Sequence, residues 1–473
     1  METIHLKTVD PASQELLKSA YLRGIKLSWN RYEKLQPQDG FLRLGLSCPY
    51  GCMQGPCRID PFGRGADRGV CGLDKDRMVA AMLLRLSLSG AMEAMAEAGS
   101  PNPHSPAASS LAPLVARATE SLGGRKLSVD DLSSSALNLR QPAEPAEALV
   151  TQALRLGVLA VASLADKKGE STRSLKIGYG LLAQGPGAVV GVAGRPDPAF
   201  LEKIKPEIAR RFPSGWKFVS LGDWVSLADA FIPIACTSGE KELALVSGRI
   251  QMAVLGPGTQ PSMIELCRTL NIPFASANAG GQGVQQTPAA GFAPDPSMVD
   301  EVPVYRDAAA LEDAMKKEGG RKWVLVGGSD HPQHPLGWIP SEVGFALRGK
   351  KIGVAAWGDA ALWMVKRGLA RDNDPVRVLD AGQGPMLAAK ALAGSGKTAD
   401  LGICFAGLET CKDFSLALGL AALGLKVMVA NPLPLWGSEN VRNILGGRIG
   451  AGGTFTHFDH PAQPQEILEW AEK

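Results

Sequence analysis

The chain has 473 residues, 45% of them hydrophobic and 21% charged, and its 50 Lys+Arg against 47 Asp+Glu leave a formal net charge of +3. That length supplies two or three ordinary cores, and a near-balanced charge with no basic run or aromatic-interleaved patch argues against nucleic acid as a partner. The N-terminus lacks the apolar core of a signal peptide and no apolar run approaches the roughly 20 residues of a membrane span, so a cytoplasmic location is expected, where clustered cysteines bind metal more often than they pair.

Residues 12–35 place Leu16, Leu17, Tyr21, Ile25, Leu27 and Trp29 near helical spacing, and Pro37 stops the run. Next comes SCPYGCMQGPCRIDPFGRGADRGVCG, residues 47–72, which holds four of the eight cysteines as C-x3-C-x4-C-x13-C. Asp74 reads as the N-cap of a following helix with Met78, Val79, Met82, Leu83, Leu86 and Leu88 as its buried stripe and Gly99 as its end. Residues 99–112 are Pro/Ser-rich and read as a loop. Helical patterns return around 112–122 and 143–166.

From about 185 short apolar runs alternate with amphipathic ones: AVVGVAG then FLEKIKPEIARRF, QMAVLGPG then PSMIELCRTL. The alternation repeats from about 320, where KWVLVGG, KKIGVAAWG, VRVLDAG, LGICFAG and LKVMVANP each end in Gly, Pro or Asn. Such alternation predicts βαβ units and parallel sheet. The expected fold class is α/β: an N-terminal helical cluster-binding domain over 1–185, then two doubly wound, Rossmann-like parallel-sheet domains over 186–319 and 320–473.

Four thiolates in one loop suit tetrahedral zinc or a 4Fe-4S cluster. Structural zinc usually shows two CxxC knuckles, and there are none here; the wider, uneven spacing suits a loop wrapped around a cluster, with Gly51, Gly55 and Gly72 permitting close backbone approach.

The run CMQGPCRIDPFG, followed by GVCG and MVAAMLLR and preceded by GIKLSWNRYEKLQPQDGF, closely resembles the N-terminal cluster region of anaerobic nickel-iron carbon monoxide dehydrogenases. GRIQMAVLGPGTQPS and the C-terminal NPLPLWGSENVRNILGG resemble later parts of that family. The resemblance implies that Cys48, Cys52, Cys57 and Cys71 hold a 4Fe-4S electron-transfer cluster, that the chain pairs as a homodimer, and that it exchanges electrons with a redox partner protein, either a ferredoxin-like donor or a partner enzyme. The first gap is one residue wider than the family's C-x2-C.

The family's nickel-cluster ligands have no counterpart at the matching positions. Ala193 and Arg195 stand where its histidines would be; Gly258, the Trp357–Gly358 turn, Gly384 and the stretch LGDWVSL (221–227) stand where cysteines would be. Ala94 to Glu97 replace a proton-handling histidine. Soft metals need thiolate or imidazole, so the resemblance implies a shortened, divergent member without a nickel site. A second, subunit-bridging cluster would need cysteines where Asp39 and Ser47 stand, and its loss is expected.

Cys236, Cys267, Cys404 and Cys411 fall on separate elements and read as small buried hydrophobes, with Cys404 and Cys411 the pair best placed for a second site. His331 and His334 form an HxxH that Pro332 and Pro335 keep from being helical. GSGKT at 394–398 lacks the first glycine of a phosphate loop and follows a helical run. The glycine-rich strand ends mark where an open α/β sheet keeps its ligands. One 4Fe-4S cluster for electron transfer is therefore expected. The alternatives are an oxidoreductase subunit acting on another substrate or cofactor in the former active-site crevice, and a scaffold or assembly factor whose cluster is structural.

Overall fold

The computed structural model describes residues 7–35, 40–48, 54–99, 109–140, 144–165, 167, 169–183, 187–227, 230–276, 280–281, 294–317, 322–330, 332–350, 352–371, 376–394, 401–449 and 452–473. Cys52, Asp39, His331 and most of the GSGKT stretch lie outside them.

The valine- and alanine-rich runs form strands buried on both faces, as in Ala188–Ala193 and Trp323–Gly328, the condition parallel sheets impose. Among the described residues one fourteen-stranded sheet runs in the order Thr454–His457, Lys426–Val429, Leu401–Gly407, Trp323–Gly328, Gly353–Trp357, Arg377–Leu379, Asp300–Tyr305, Arg173–Ile177, Ile234–Cys236, Trp216–Leu221, Ala188–Ala193, Met252–Leu255, Phe274–Ser276 and Gly280–Gly281. Two halves, parallel apart from the edge pair of Phe274–Ser276 with Gly280–Gly281, meet edge to edge where Arg173–Ile177 pairs antiparallel with Asp300–Tyr305, Leu175 opposite Val302. The alternation of runs does not mark these two seam strands, and the sheet begins earlier than it suggests, at Arg173.

The predicted helix over 74–99 forms as Lys75–Ala98: the Asp74 side chain accepts the Arg77 N–H, and Gly99 closes it at φ 65°. The run 12–35 divides into Pro11–Leu22 and Ser28–Leu35, with Gly24 at φ 67° between them. A helix the pattern does not mark, Asp130–Arg140, packs against Ala146–Ala165 and carries Asp131, which pairs with the buried Arg155 at 3.1 Å.

Helices Lys75–Ala98, Ala146–Ala165 and Cys411–Ala422 pack on one another at small residues. A Cβ on Gly90 would lie 2.0 Å from the Cys411 carbonyl oxygen, and one on Gly419 would lie 2.2 Å from that of Gly157. The first two helices are long and apolar enough to cross a membrane by length and composition, but most of each is buried inside this bundle. The packing fixes the long helix with its start beside the cysteine segment and its end, Glu97, at the sheet.

Candidate functional site

Leu46 and Ile59, both buried, anchor a short antiparallel ladder: the Ile59 N–H donates to the Leu46 carbonyl at 2.9 Å, and the Cys48 N–H to that of Cys57 at 2.8 Å. This ladder sets Cys48 and Cys57 side by side, both half-buried. Beyond Cys57 the chain loops through Asp60. Despite some desolvation, the backbone N–H groups of Phe62 and Arg64 hold its carboxyl below the usual value. The return leg passes over Cys57, where the Val70 N–H donates to Sγ at 3.4 Å, and Gly72 at φ 87° turns the exposed Cys71 ahead of the Asp74 cap.

This donor set fits an iron-sulfur cluster. Thiols are the ligand type such clusters need, and an N–H aimed at sulfur is the hydrogen bond that tunes them. The enclosed Ser47 Oγ, beside Cys48, has no hydrogen-bond partner among the described residues. Among those residues no three His, Cys, Asp or Glu converge as ligands of a single ion. Cys52, the fourth residue of the predicted set, is outside the description.

A cavity of about 420 Å³ opens beyond the carboxyl ends of the strands, between the two halves of the sheet. Its wall is built from the residues just after each strand: Arg195, Asp223 and Trp224 on one side, Ser329, Asp359, Asp380 and Glu409 on the other. Glu97, from the end of the long helix, also reaches it. The glycines at these ends are needed there. A Cβ on Gly222 would sit 2.6 Å from the Ser238 nitrogen, and Gly328 at φ 109° leaves no room for one beside the Gly407 carbonyl.

Several positions matched to family ligands do gather at this cavity: Arg195, the 222–226 stretch, Trp357 and Gly358 line it. The described lining contains neither Cys nor His. The Trp357 side chain is buried, its indole edge-on to Phe405 at 5.3 Å, and packs against Gly327 and Gly384: an added Cβ would lie 1.8 Å from the indole at the first and 2.4 Å from the Trp357 Cβ at the second. The described lining thus offers an indole but neither the thiolate nor the imidazole that a soft metal needs.

At the cavity floor and just below it lies a buried polar layer that no sequence spacing signals. Asp359 accepts from the Ser238 and Asp330 N–H groups, both at 2.9 Å, and from the Ser238 hydroxyl. Asp330 accepts from Thr237 Oγ1 at 2.5 Å and Trp363 Nε1 at 2.7 Å. Burial pushes the Asp359 carboxyl up to about 6 and Asp330 well above the carboxylate range, the latter helped by Asp359 itself.

Of the remaining cysteines, Cys236, Cys267 and Cys404 are fully buried, and burial pushes the last two up to about 12. Cys411 opens its helix half-buried, while Cys404 sits mid-strand with Met428 Sδ at 3.9 Å. His334 is half-buried against Trp338, with burial lowering its pKa.

No family model matches the chain. Part of it is 50% identical over 90 residues to carbon monoxide dehydrogenase 1 of Methanosarcina mazei, covering 19% of this chain and 14% of that one. A similar stretch is 49% identical over 81 residues to the Rhodospirillum rubrum carbon monoxide dehydrogenase, 17% of this chain and 12% of the relative. The sequence match thus spans about a seventh of the curated relatives' length or less. Among solved structures, carbon monoxide dehydrogenase IV of Carboxydothermus hydrogenoformans superposes with a TM-score of 0.75 at 19% identity, covering 98% of each chain. The as-isolated, nickel-free carbon monoxide dehydrogenase of Thermococcus sp. AM4, produced without CooC maturase, gives 0.75 at 16% identity, covering 99% of this chain and 96% of that one. By sequence over about a fifth of its length, and by fold over nearly all of it, the chain is similar to carbon monoxide dehydrogenases.

Proposed function

We propose that the chain is a carbon monoxide dehydrogenase-like iron-sulfur protein that carries one 4Fe-4S cluster on Cys48, Cys52, Cys57 and Cys71, serves electron transfer, and has no nickel active site. The observation that carries this reading is the paired placement of Cys48 and Cys57 with the Val70 N–H on sulfur, in a chain that is 50% identical over 90 residues to a protein named carbon monoxide dehydrogenase 1. A bound 4Fe-4S cluster would supply single-electron transfer. The chain's part is to hold the thiolates, donate N–H bonds to sulfur and keep Arg58 nearby to tune the potential by charge.

Residues 1–185 would form the cluster-bearing domain and 186–319 and 320–473 the two sheet domains. A cytoplasmic homodimer served by a redox partner protein completes the proposal. The helix Lys75–Ala98 separates the cysteine segment from Glu97 by about 33 Å at 1.5 Å per residue. That span favours delivery to a partner over delivery to the chain's own crevice. The cavity itself favours a second reading, in which an oxidoreductase subunit acts on another substrate bound there.

Anaerobic purification with metal and sulfide quantification and electron paramagnetic resonance tests the proposal. Four-cysteine ligation of one cluster implies about four iron and four sulfide per chain, without nickel, and their loss in Cys57→Ala. Stoichiometric nickel, or an anaerobic sample free of sulfide, refutes it.

A further inference from the structure

We propose that the crevice is a binding site for a small zwitterion of the α-amino acid type, a compound carrying an ammonium and a carboxylate on one carbon. Its volume of about 420 Å³ lies within the roughly 300–1,000 Å³ of small-molecule sites, and it opens where open α/β sheets place ligands.

Three ion pairs stand in its wall, each largely withdrawn from water. Asp223, after the strand Trp216–Leu221, pairs with Lys241 at 2.9 Å, the side chains 19% and 12% exposed. Glu97 pairs with Lys412 at 2.6 Å, 19% and 9% exposed. Asp380 pairs with Arg306 at 3.0 Å, 16% and 12% exposed. Withdrawing charges costs desolvation that pairing offsets only in part, so three such pairs around one opening make an expensive wall. Burial works against the charge on Lys241, yet Asp223 beside it keeps its pKa raised.

The sign pattern selects the ligand. Besides the three pairs the described lining carries Arg195 and the carboxylates Asp359, Glu409 and Asp413, so a lone anion would meet carboxylates and a lone cation would meet cations wherever it settled. An apolar molecule would strip water from these charged groups and return nothing. A single metal ion lacks three converging ligands among the described residues. A molecule bearing both charges can set its carboxylate in a forked bond on the Arg195 guanidinium and its ammonium on a wall carboxylate such as Glu409. Trp224, also in the wall, supplies an apolar flank for the carbon skeleton. None of these residues belongs to the cysteine segment, so the inference stands apart from the cluster.

The test is calorimetric titration of the full chain, purified anaerobically and with its iron content recorded, using L-norleucine, L-lysine and L-glutamate against hexanoate and pentylamine. The last two are the carboxylate and the ammonium of norleucine presented separately. At least one amino acid should bind saturably and about tenfold or more tighter than either half-molecule, the scale of one charge-assisted contact. The double substitution Glu97→Gln with Lys412→Met removes one pair, leaving only the more exposed Lys167 without its 3.7 Å contact to Glu97, and should weaken that binding by a similar factor. Equal binding of hexanoate or pentylamine, no saturable binding of any amino acid at millimolar concentration, or unchanged binding in the double variant would overturn the inference and leave the pairs as braces of the fold. Should the double variant fail to fold, the comparison of whole and half ligands on the parent chain decides alone. A sample that binds amino acid but lacks iron defeats the cluster proposal only.

Discussion

Lys366 lies 2.7 and 2.9 Å from the two carboxylate oxygens of the fully buried Glu240 and 3.6 Å from Asp10, between the rings of Tyr179 and Trp363. Burial opposes its charge, but Asp10 and Glu240 hold its pKa above the usual lysine value. One layer nearer the crevice, Asp359 and Asp330 are met by hydroxyl, amide and indole donors instead, and Glu409 adds a like charge to Asp359. Both shifts are upward, so both groups cost stability as pH rises, but in different windows: Lys366 above the ordinary lysine value and Asp359 in mild acid. Asp359, pushed up to about 6 from an ordinary 3.8, keeps its proton in the folded chain over a window where the unfolded chain has lost it. The folded state binds more protons there, so stability falls as pH rises from about 4 to about 6, by at most about 3 kcal/mol from this group. Urea unfolding of the parent and of Asp359→Asn between pH 4 and 7 should show the parent losing stability relative to the variant across that window. Parallel curves would mean the carboxyl is ionised throughout.

At the scale of elements, close approach is set by glycine and broken by a single methyl. In the helix Cys411–Ala422 a Cβ on Gly419 would meet the Gly157 carbonyl at 2.2 Å, whereas in Glu439–Arg448 one on Gly446 would meet nothing within 4 Å. Gly419→Ala should therefore destabilise by about 1–3 kcal/mol through overpacking, while Gly446→Ala should stabilise by up to about 1 kcal/mol through helix propensity. Thermal unfolding of the two variants checks both signs. Much at this scale is legible in the sequence. Asp74 and Gly99 bracket a helix because cap chemistry is local, and apolar runs ending in glycine mark the strands buried on both faces. The seam strands escape that signal because each shows one face to polar surroundings: RSLKI and DEVPVY alternate buried and exposed positions and carry charge, so neither reads as an apolar run. The crevice was legible only as a row of glycine-rich strand ends. Its ion pairs join residues such as Glu97 and Lys412 that no spacing rule connects, since they meet only once the helices have packed.

The whole molecule places the cysteine segment against the helix that follows it and against one distant part of the chain, residues 437–440. Leu46, Ile59 and Leu73 enter the same core as the helix Lys75–Ala98, and the Gly437 N–H donates to the Leu44 carbonyl at 2.8 Å. Asp76 accepts from Ser438 Oγ at 2.6 Å and Asn440 Nδ2 at 2.9 Å. These contacts hold the base of the ladder, but little apolar surface secures the loop beyond it: Phe62 and Val70 are 73% and 70% exposed. A loop with so little burial needs another source of order, and ligation of a cluster at both of its ends would provide one, since binding a metal group to the folded form adds directly to its stability. The sheet has no such need, because its central strands are enclosed on both faces. Removing the cluster with an anaerobic chelator should therefore raise hydrogen exchange at the Cys48 and Val70 amides by about tenfold or more, the factor that each 1.4 kcal/mol of lost local stability produces. Amides of Trp323–Gly328 and Leu401–Gly407 should keep their protection. Equal loss in the sheet would make the cluster a support of the entire fold, and no change in the loop would mean the four cysteines hold nothing there.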